Sequence, residues 1–242
     1  MRNILLVNDD GYYAEGIQRL KAKLMPFGNI YTVAPMHAMS AKGVSITITG
    51  LNNISKIDDY NYVVDGTPAD CVDYAVKELG IDFDLVVSGC NRGLNFSILS
   101  IWSGTIGACI EALYRKIPAI AFSACADNME QIDEYAAKVV EYILDNNLLS
   151  RKYLLNVNLP YTKKAKGIKL SRLVYEDDTY FNREDGRLYA NKDCDIDFKD
   201  PDSDLYHVSH GYISISPLSY SFFNDAIFNQ VNKKFKTIDF KK

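Results

Sequence analysis

Ile4-Leu5-Leu6-Val7-Asn8-Asp9-Asp10-Gly11 is an apolar run that ends abruptly in two acids and a glycine. A short apolar run bounded in this way reads as a strand buried in a parallel sheet. Outward from it, the first part of the chain alternates strand and helix. Strands are predicted at 3–8, 30–34, 84–88, 118–123 and 153–158, and helices at 14–25, 68–79, 104–115 and 130–147. That alternation predicts an α/β fold with a mostly parallel sheet covered by helices on both faces. The helix at 68–79 is the best signalled: Thr67 suits the N-cap, Pro68 the first turn, Asp70 the positive end, and Gly80 the stop. Residues 44–49 and 60–64 look like β-branched strands that interrupt the alternation as a hairpin-like excursion.

After about residue 160 the helical periodicity disappears. Strand-like runs at 168–174, 186–190, 205–209 and 212–216 take over. One domain is expected over 1–242, with a core over about 1–160 and a β-rich extension over about 161–242. Residues 175–204 carry eleven Asp or Glu against four Lys or Arg. Asp193-Cys194-Asp195-Ile196-Asp197 resembles the opening of a calcium loop, but Phe198 stands at the glycine position and Asp204 at the twelfth, so a solvated acidic loop is preferred. The basic tail Lys233, Lys234, Lys236, Lys241 and Lys242 reads as a solvated terminus or a subunit contact.

With 242 residues, 48% hydrophobic and 24% charged, the chain has the composition of a soluble globular protein. A net charge of −4 argues against a polynucleotide partner but not against a small phosphate ligand. Five scattered cysteines without a CxxC pair suggest reduced thiols and a cytoplasmic protein. No signal-peptide pattern and no apolar run near the ~20 residues of a membrane span is present, so no membrane partner is expected.

The chemistry is expected at the carboxyl ends of the strands, where open α/β sheets bind ligands. Asp9 and Asp10 repel each other and are costly to bury unless a cation joins them. A hard divalent cation (Mg²⁺, Mn²⁺ or Ca²⁺) is the natural partner; the plainer alternative is a solvated turn with one Asp capping the next helix. Three further segments should reach the same edge. Pro35–Gly43 offers the Ser40 hydroxyl to a metal and Lys42 to an anion. Ser88–Asn95 places Asn91 between glycines, where its side-chain oxygen suits a metal and its amide a phosphate. Ser103-Gly104-Thr105-Ile106-Gly107-Ala108 opens an amphipathic helix whose free N–H groups suit an anion. Two carboxylates, a Ser and an Asn beside such a helix end suit metal-assisted hydrolysis of a phosphate monoester.

Taken in order, the chain resembles the SurE family of 5′/3′-nucleotidases. The matching stretches are Asn8–Gly11, Ala14–Ile17, Val33–Pro35, Gly66–Val72, Asp84–Asn95, Ser103–Ala108, Pro118–Ser123, Asn156–Pro160 and Gly211–Leu218. The resemblance spans nearly the whole chain. It implies a Rossmann-like three-layer sandwich with a β-rich C-terminal extension. It implies one divalent cation held by Asp9, Asp10, Ser40 and Asn91, with Asp9 and Asp10 as the catalytic acids. Asn8, Gly11, Asn95, Ser103, Gly104 and Thr105 are implied to surround the phosphate. Nucleoside monophosphates are the implied substrates, with polyphosphate as a side activity. A homodimer or homotetramer that exchanges C-terminal segments is the implied assembly. The chain departs from the family pattern at Ala41, Cys90 and Trp102, none of them an implied ligand.

The expected mechanism is metal-assisted attack of water on phosphorus, with the division of labour between Asp9 and Asp10 open. An aspartyl-phosphate route through Asp9 ranks lower, because the second acid such enzymes place two positions on is here Gly11. The non-enzymatic alternative is a nucleotide-binding module on the same scaffold. Of the three histidines, His37 lies near Ser40 and is a candidate substrate contact, whereas His207 and His210 read as surface or interface residues.

Overall fold

Ile4, Leu5, Leu6 and Val7 expose no surface, and their side chains divide by parity. Ile4 and Leu6 join one apolar cluster and Leu5 and Val7 the other, as period two requires of a strand buried on both faces. Emptying one such site by Leu5→Ala costs about 2–5 kcal/mol. This strand, β1 (Arg2–Val7), lies inside a nine-stranded sheet. The computed structural model describes residues 1–49, 53–97, 99–173, 181–184, 187–190, 200–221 and 224–234.

The remaining strands are β2 (Gly28–Pro35), β3 (Ile54–Asp58), β4 (Asn61–Val64), β5 (Leu85–Arg92), β6 (Ala119–Ala124), β7 (Leu154–Asn158), β8 (Ile168–Leu170) and β11 (Ile213–Leu218). Their order is β3-β4-β2-β1-β5-β6-β7-β11-β8, and only the β3–β4 and β7–β11 pairs are antiparallel. A separate hairpin pairs β9 (Phe181–Glu184) with β10 (Arg187–Ala190). Helices α1 (Glu15–Leu24) and α5 (Gln131–Asp145) cover one face, and α2 (Pro68–Glu78) and α4 (Gly104–Tyr114) the other. The result is the expected three-layer α/β sandwich, with a short α3 (Leu99–Trp102) leading into α4.

The N-terminus of α2 forms as its sequence predicts. Asp70 N–H donates to Thr67 Oγ1 at 3.1 Å, and Thr67 N–H returns a bond to Asp70 Oδ2 at 2.8 Å. The same carboxylate also takes the N–H and hydroxyl of Thr47, each at 2.7 Å. That capture corrects the expected strand at 44–49, whose backbone lies against a helix end instead of a neighbouring strand. The hairpin excursion exists, but β3 at Ile54–Asp58 supplies the partner of β4.

The C-terminal part also differs from expectation. The expected strand at 205–209 is a helix, α6 (Asp204–Ser209), because Ser203 Oγ accepts from Tyr206 N–H at 3.1 Å and starts a turn. A second helix, α7 (Asp225–Asn232), is capped by Asn224, which accepts from Ile227 N–H at 3.1 Å. Helices this short carry too few turns to show a 3.6-residue pattern. His207 is buried, contrary to its surface reading, and its Nδ1 lies 2.8 Å from Ser171 Oγ. Of the calcium-like loop, Asp193–Asp197 falls outside the described residues. Asp204 at its twelfth position is fully buried, so that end is not a solvated loop. Lys233 and Lys234 are exposed, and Lys236, Lys241 and Lys242 lie outside the described residues. Cys71, Cys90, Cys109 and Cys125 are free thiols, and Cys194 lies outside the described residues.

Candidate active site

Where β1 ends, Asn8 turns the chain by donating its side-chain amide to Gly11 O at 2.8 Å. Tyr12 N–H then reaches Pro35 O at 2.9 Å, and Met39 N–H reaches Asp9 O at 2.7 Å. These bonds fasten the end of β1 to the loop after β2, which carries Ser40. Ser40 itself is exposed, as is His37. Ala41 has φ +57°, in the left-handed region where an L-residue is strained. The departure from the family pattern at Ala41 therefore leaves this backbone in the conformation a glycine would adopt freely.

Asp9 is 3% exposed, and its Oδ1 accepts from Thr105 Oγ1 at 2.6 Å. Burial raises its carboxyl to about 6; the Thr105 hydroxyl opposes that rise and the charge of Asp10 adds to it. Asp10 is less buried, and its Oδ2 accepts from Arg92 N–H at 3.0 Å. Burial raises Asp10 as well, with the Arg92 backbone bond and charge opposing. Among the described residues no ion pair to either acid occurs. The end of β1 thus presents two adjacent carboxyls whose charged forms burial disfavours, an arrangement a cation would relieve.

The third wall is the N-terminus of α4. Ser103 caps it by accepting from Ile106 N–H at 3.1 Å. A Cβ on Gly104 would stand 2.8 Å from Asp9 Cβ and 3.0 Å from its Oδ2, so only glycine lets the helix end approach the carboxylate this closely. Gly107 makes the matching approach on the other side, where an added Cβ would meet Gly43 O at 2.0 Å. Gly43 N–H also bonds Trp102 O at 2.9 Å, so the Ser40 loop and α4 form one wall.

At the end of β5, Asn91 donates its amide to Gly93 O at 2.7 Å, which commits the nitrogen and leaves the oxygen as the end suited to a cation. Cys90 beside it is fully buried, and burial pushes its thiol up, with the charge of Asp10 adding. It stays protonated and is a poor ligand. Asn95 lies further along, buried, with its amide on Ser123 Oγ at 3.0 Å. Its backbone N–H goes to Asn158 Oδ1 at 2.9 Å, and its carbonyl accepts from the amides of Asn156 at 2.6 Å and Asn158 at 2.9 Å.

The structure therefore brings Asp9 into direct contact with Gly104 and Thr105, and backbone N–H bonds tie the Ser40 loop to Asp9 and the strand end carrying Asn91 to Asp10. The donors are oxygen throughout: two carboxylates, a hydroxyl and an amide carbonyl. Asn8 Oδ1 is also buried without a partner. Such a set fits a hard divalent cation. No cluster of three or more His, Cys, Asp or Glu side chains occurs among the described residues, in keeping with a set of only two acids. The roles of Ser123, Asn156, Asn158 and Asp204 were not read from the sequence. Asn156 and Asn158 carried a usable signal, being polar residues in the wholly buried strand β7.

Comparison with known proteins finds relatives over nearly the whole chain. A family model described as Survival protein SurE matches residues 4–179, more than half of the chain. A 5′-nucleotidase SurE from Pelotomaculum thermopropionicum is 36% identical, covering 97% of this chain and 95% of that protein. A 5′-nucleotidase SurE from Clostridium botulinum (strain Alaska E43 / Type E3) is 34% identical, covering 97% and 100%. The solved structure of a SurE protein from Aquifex aeolicus superposes with a TM-score of 0.83 at 31% identity, over 96% of this chain and 99% of that one.

Proposed function

The chain belongs to the SurE family, and from that premise we propose that it is a metal-dependent phosphomonoesterase. Its substrates are nucleoside 5′- and 3′-monophosphates, with polyphosphate as a side activity. The relatives' name supports the 5′-nucleotidase part of this reading. The observation that carries it is the contact between the α4 N-terminus and the buried Asp9, which sets an anion-binding helix end against a cation-binding carboxylate. Asp9, Asp10, Ser40 and Asn91 are the residues that would hold the cation. When bound, Mg²⁺ or Mn²⁺ supplies the charge that offsets the acids and polarises a phosphoryl oxygen.

The remaining roles follow from the protein's own groups. The positive N-terminal end of α4 at Gly104 and Thr105 binds the phosphate, with Asn8, Gly11, Asn95 and Ser103 shaping its surroundings. Thr105 holds Asp9 in one orientation through its hydroxyl. Asp10 has one oxygen on Arg92 N–H, and its other oxygen orients the attacking water and takes its proton. The apolar residues Ile227, Phe228 and Val231, exposed on α7, support a homodimer or homotetramer with exchanged C-terminal segments. A cytoplasmic location belongs to the same proposal. Among the described residues no helix is long and apolar enough to cross a membrane.

A phosphate-release screen over nucleoside 5′- and 3′-monophosphates and polyphosphate tests the reading, with Mg²⁺, Mn²⁺ and EDTA compared. Release that depends on metal is expected. Silence toward every nucleotide would leave a binding module, and full activity in EDTA would remove the metal.

A further inference from the structure

Beyond Asn95 the loop turns through Ser97, which is 1% exposed and has φ +49°. L-residues disfavour this left-handed conformation, so something must hold it. The hydroxyl of Ser97 does not, because its Oγ is buried without a partner. The holding group comes from the far end of the chain. Asp204, fully buried at the start of α6, accepts the Ser97 N–H on Oδ2 at 2.9 Å. Its Oδ1 takes its neighbour Leu205 N–H, also at 2.9 Å, so both oxygens are in use. Two residues earlier, the backbone of Asn95 is bonded by the side chains of Asn156 and Asn158.

We propose that Asp204 is a positioning residue for the phosphate site: its carboxylate holds Ser97 in the left-handed conformation and so fixes Asn95. The proposal rests on the reading of Asn95 as a phosphate neighbour. Asp204 touches neither substrate nor cation and acts through Ser97 alone. A carboxylate suits the task because it accepts two N–H groups at once from fixed directions. The isosteric Asn presents an NH₂ to one of those donors and loses one bond.

The test uses the full chain with inorganic phosphate as the probe, followed by calorimetry, and with Mn²⁺ binding measured in parallel. In Asp204→Asn, phosphate affinity and kcat/KM are each expected to fall about tenfold, since a small misplacement of a binding group is costly. Mn²⁺ affinity is expected to stay within about twofold, because the acids of β1 are held separately. Adding Ser97→Gly should restore part of the phosphate affinity, since glycine adopts the left-handed conformation unaided. General loosening of the fold would lower Mn²⁺ affinity in step and would not respond to that glycine. Wild-type phosphate affinity in Asp204→Asn, or a parallel loss of Mn²⁺ binding without recovery in the double variant, overturns the proposal. Wild-type protein that binds phosphate but hydrolyses no nucleotide overturns the nucleotidase reading instead, and phosphate affinity still decides the role of Asp204.

Discussion

The two sides of the site are built differently. On one side Asp9 and Asp10 sit at the end of β1, a strand held in register by β2 and β5 and buried on both faces. On the other side Asn95 and Ser97 lie in a loop whose backbone is bonded by the side chains of Asn156, Asn158 and Asp204. Backbone ladders tolerate changes of side chain, whereas a loop held by side chains fails when any one of them is altered. The placement of the first side's ligand groups is therefore set by the strand ladder, whereas that of the second depends also on side chains that never meet ligand.

Asp9→Asn strikes the first side directly. It should lower phosphate release by about a thousandfold, roughly 4 kcal/mol, with circular dichroism unchanged. Retained activity there would remove Asp9 from the chemistry.

The second side is probed by pH. Asp204 is raised from 3.8 to about 6 by burial, with the N–H bonds of Ser97 and Leu205 opposing. The folded state then binds more protons than the unfolded one between those values, so stability falls as pH rises from about 4 to 6 and stays flat above. Asp204 contributes about 3 kcal/mol to the fall at most, and that share should be lost in Asp204→Asn. Urea titrations of both proteins at pH 4.5 and 7 check it, at one metal concentration because Asp9 contributes a fall of the same sign. Equal slopes would show that Asp204 is not raised.

Gly104→Ala sharpens the boundary between the sides. Its new Cβ would crowd Asp9 at 2.8 Å, and a displaced carboxylate should cost about a hundredfold in kcat. Wild-type kcat in this variant would mean that the helix end is free to withdraw. Thr105→Val should have the smallest effect, a drop of about tenfold in Mn²⁺ affinity measured by calorimetry, with Thr105→Ser retaining most of it. An unchanged affinity would separate the Thr105 bond from cation binding.

The same contrast governs what the sequence made legible. The alternation of apolar strands and amphipathic helices over the first 160 residues carried the sandwich, because the four covering helices there are long enough to show their period. The residues at the strand ends stood out because acids and glycines interrupt apolar runs. Residues 44–49 misled because β-branching marks an extended chain without naming its partner, and Asp70 drew Thr47 onto a helix end. The stretch 205–209 misled because Leu205 and Val208 are buried one turn apart in a helix too short to be periodic. Asp204 was hidden within an acidic run, where composition favours a solvated loop. Only three-dimensional proximity to Ser97 reveals it.

The distances along the chain behind that proximity bear on how the protein comes to life during synthesis. The groups that fix Asn95 and Ser97 lie 61, 63 and 107 residues further on. A chain growing from its N-terminus completes β1 and the acid pair long before α6 leaves the ribosome. Until then Ser97 has nothing to keep it left-handed, and closing so wide a loop comes late in folding. A half-made chain carries the acids without the settled loop opposite them. The order of synthesis thus acts as a safety catch, released by the last quarter of the protein.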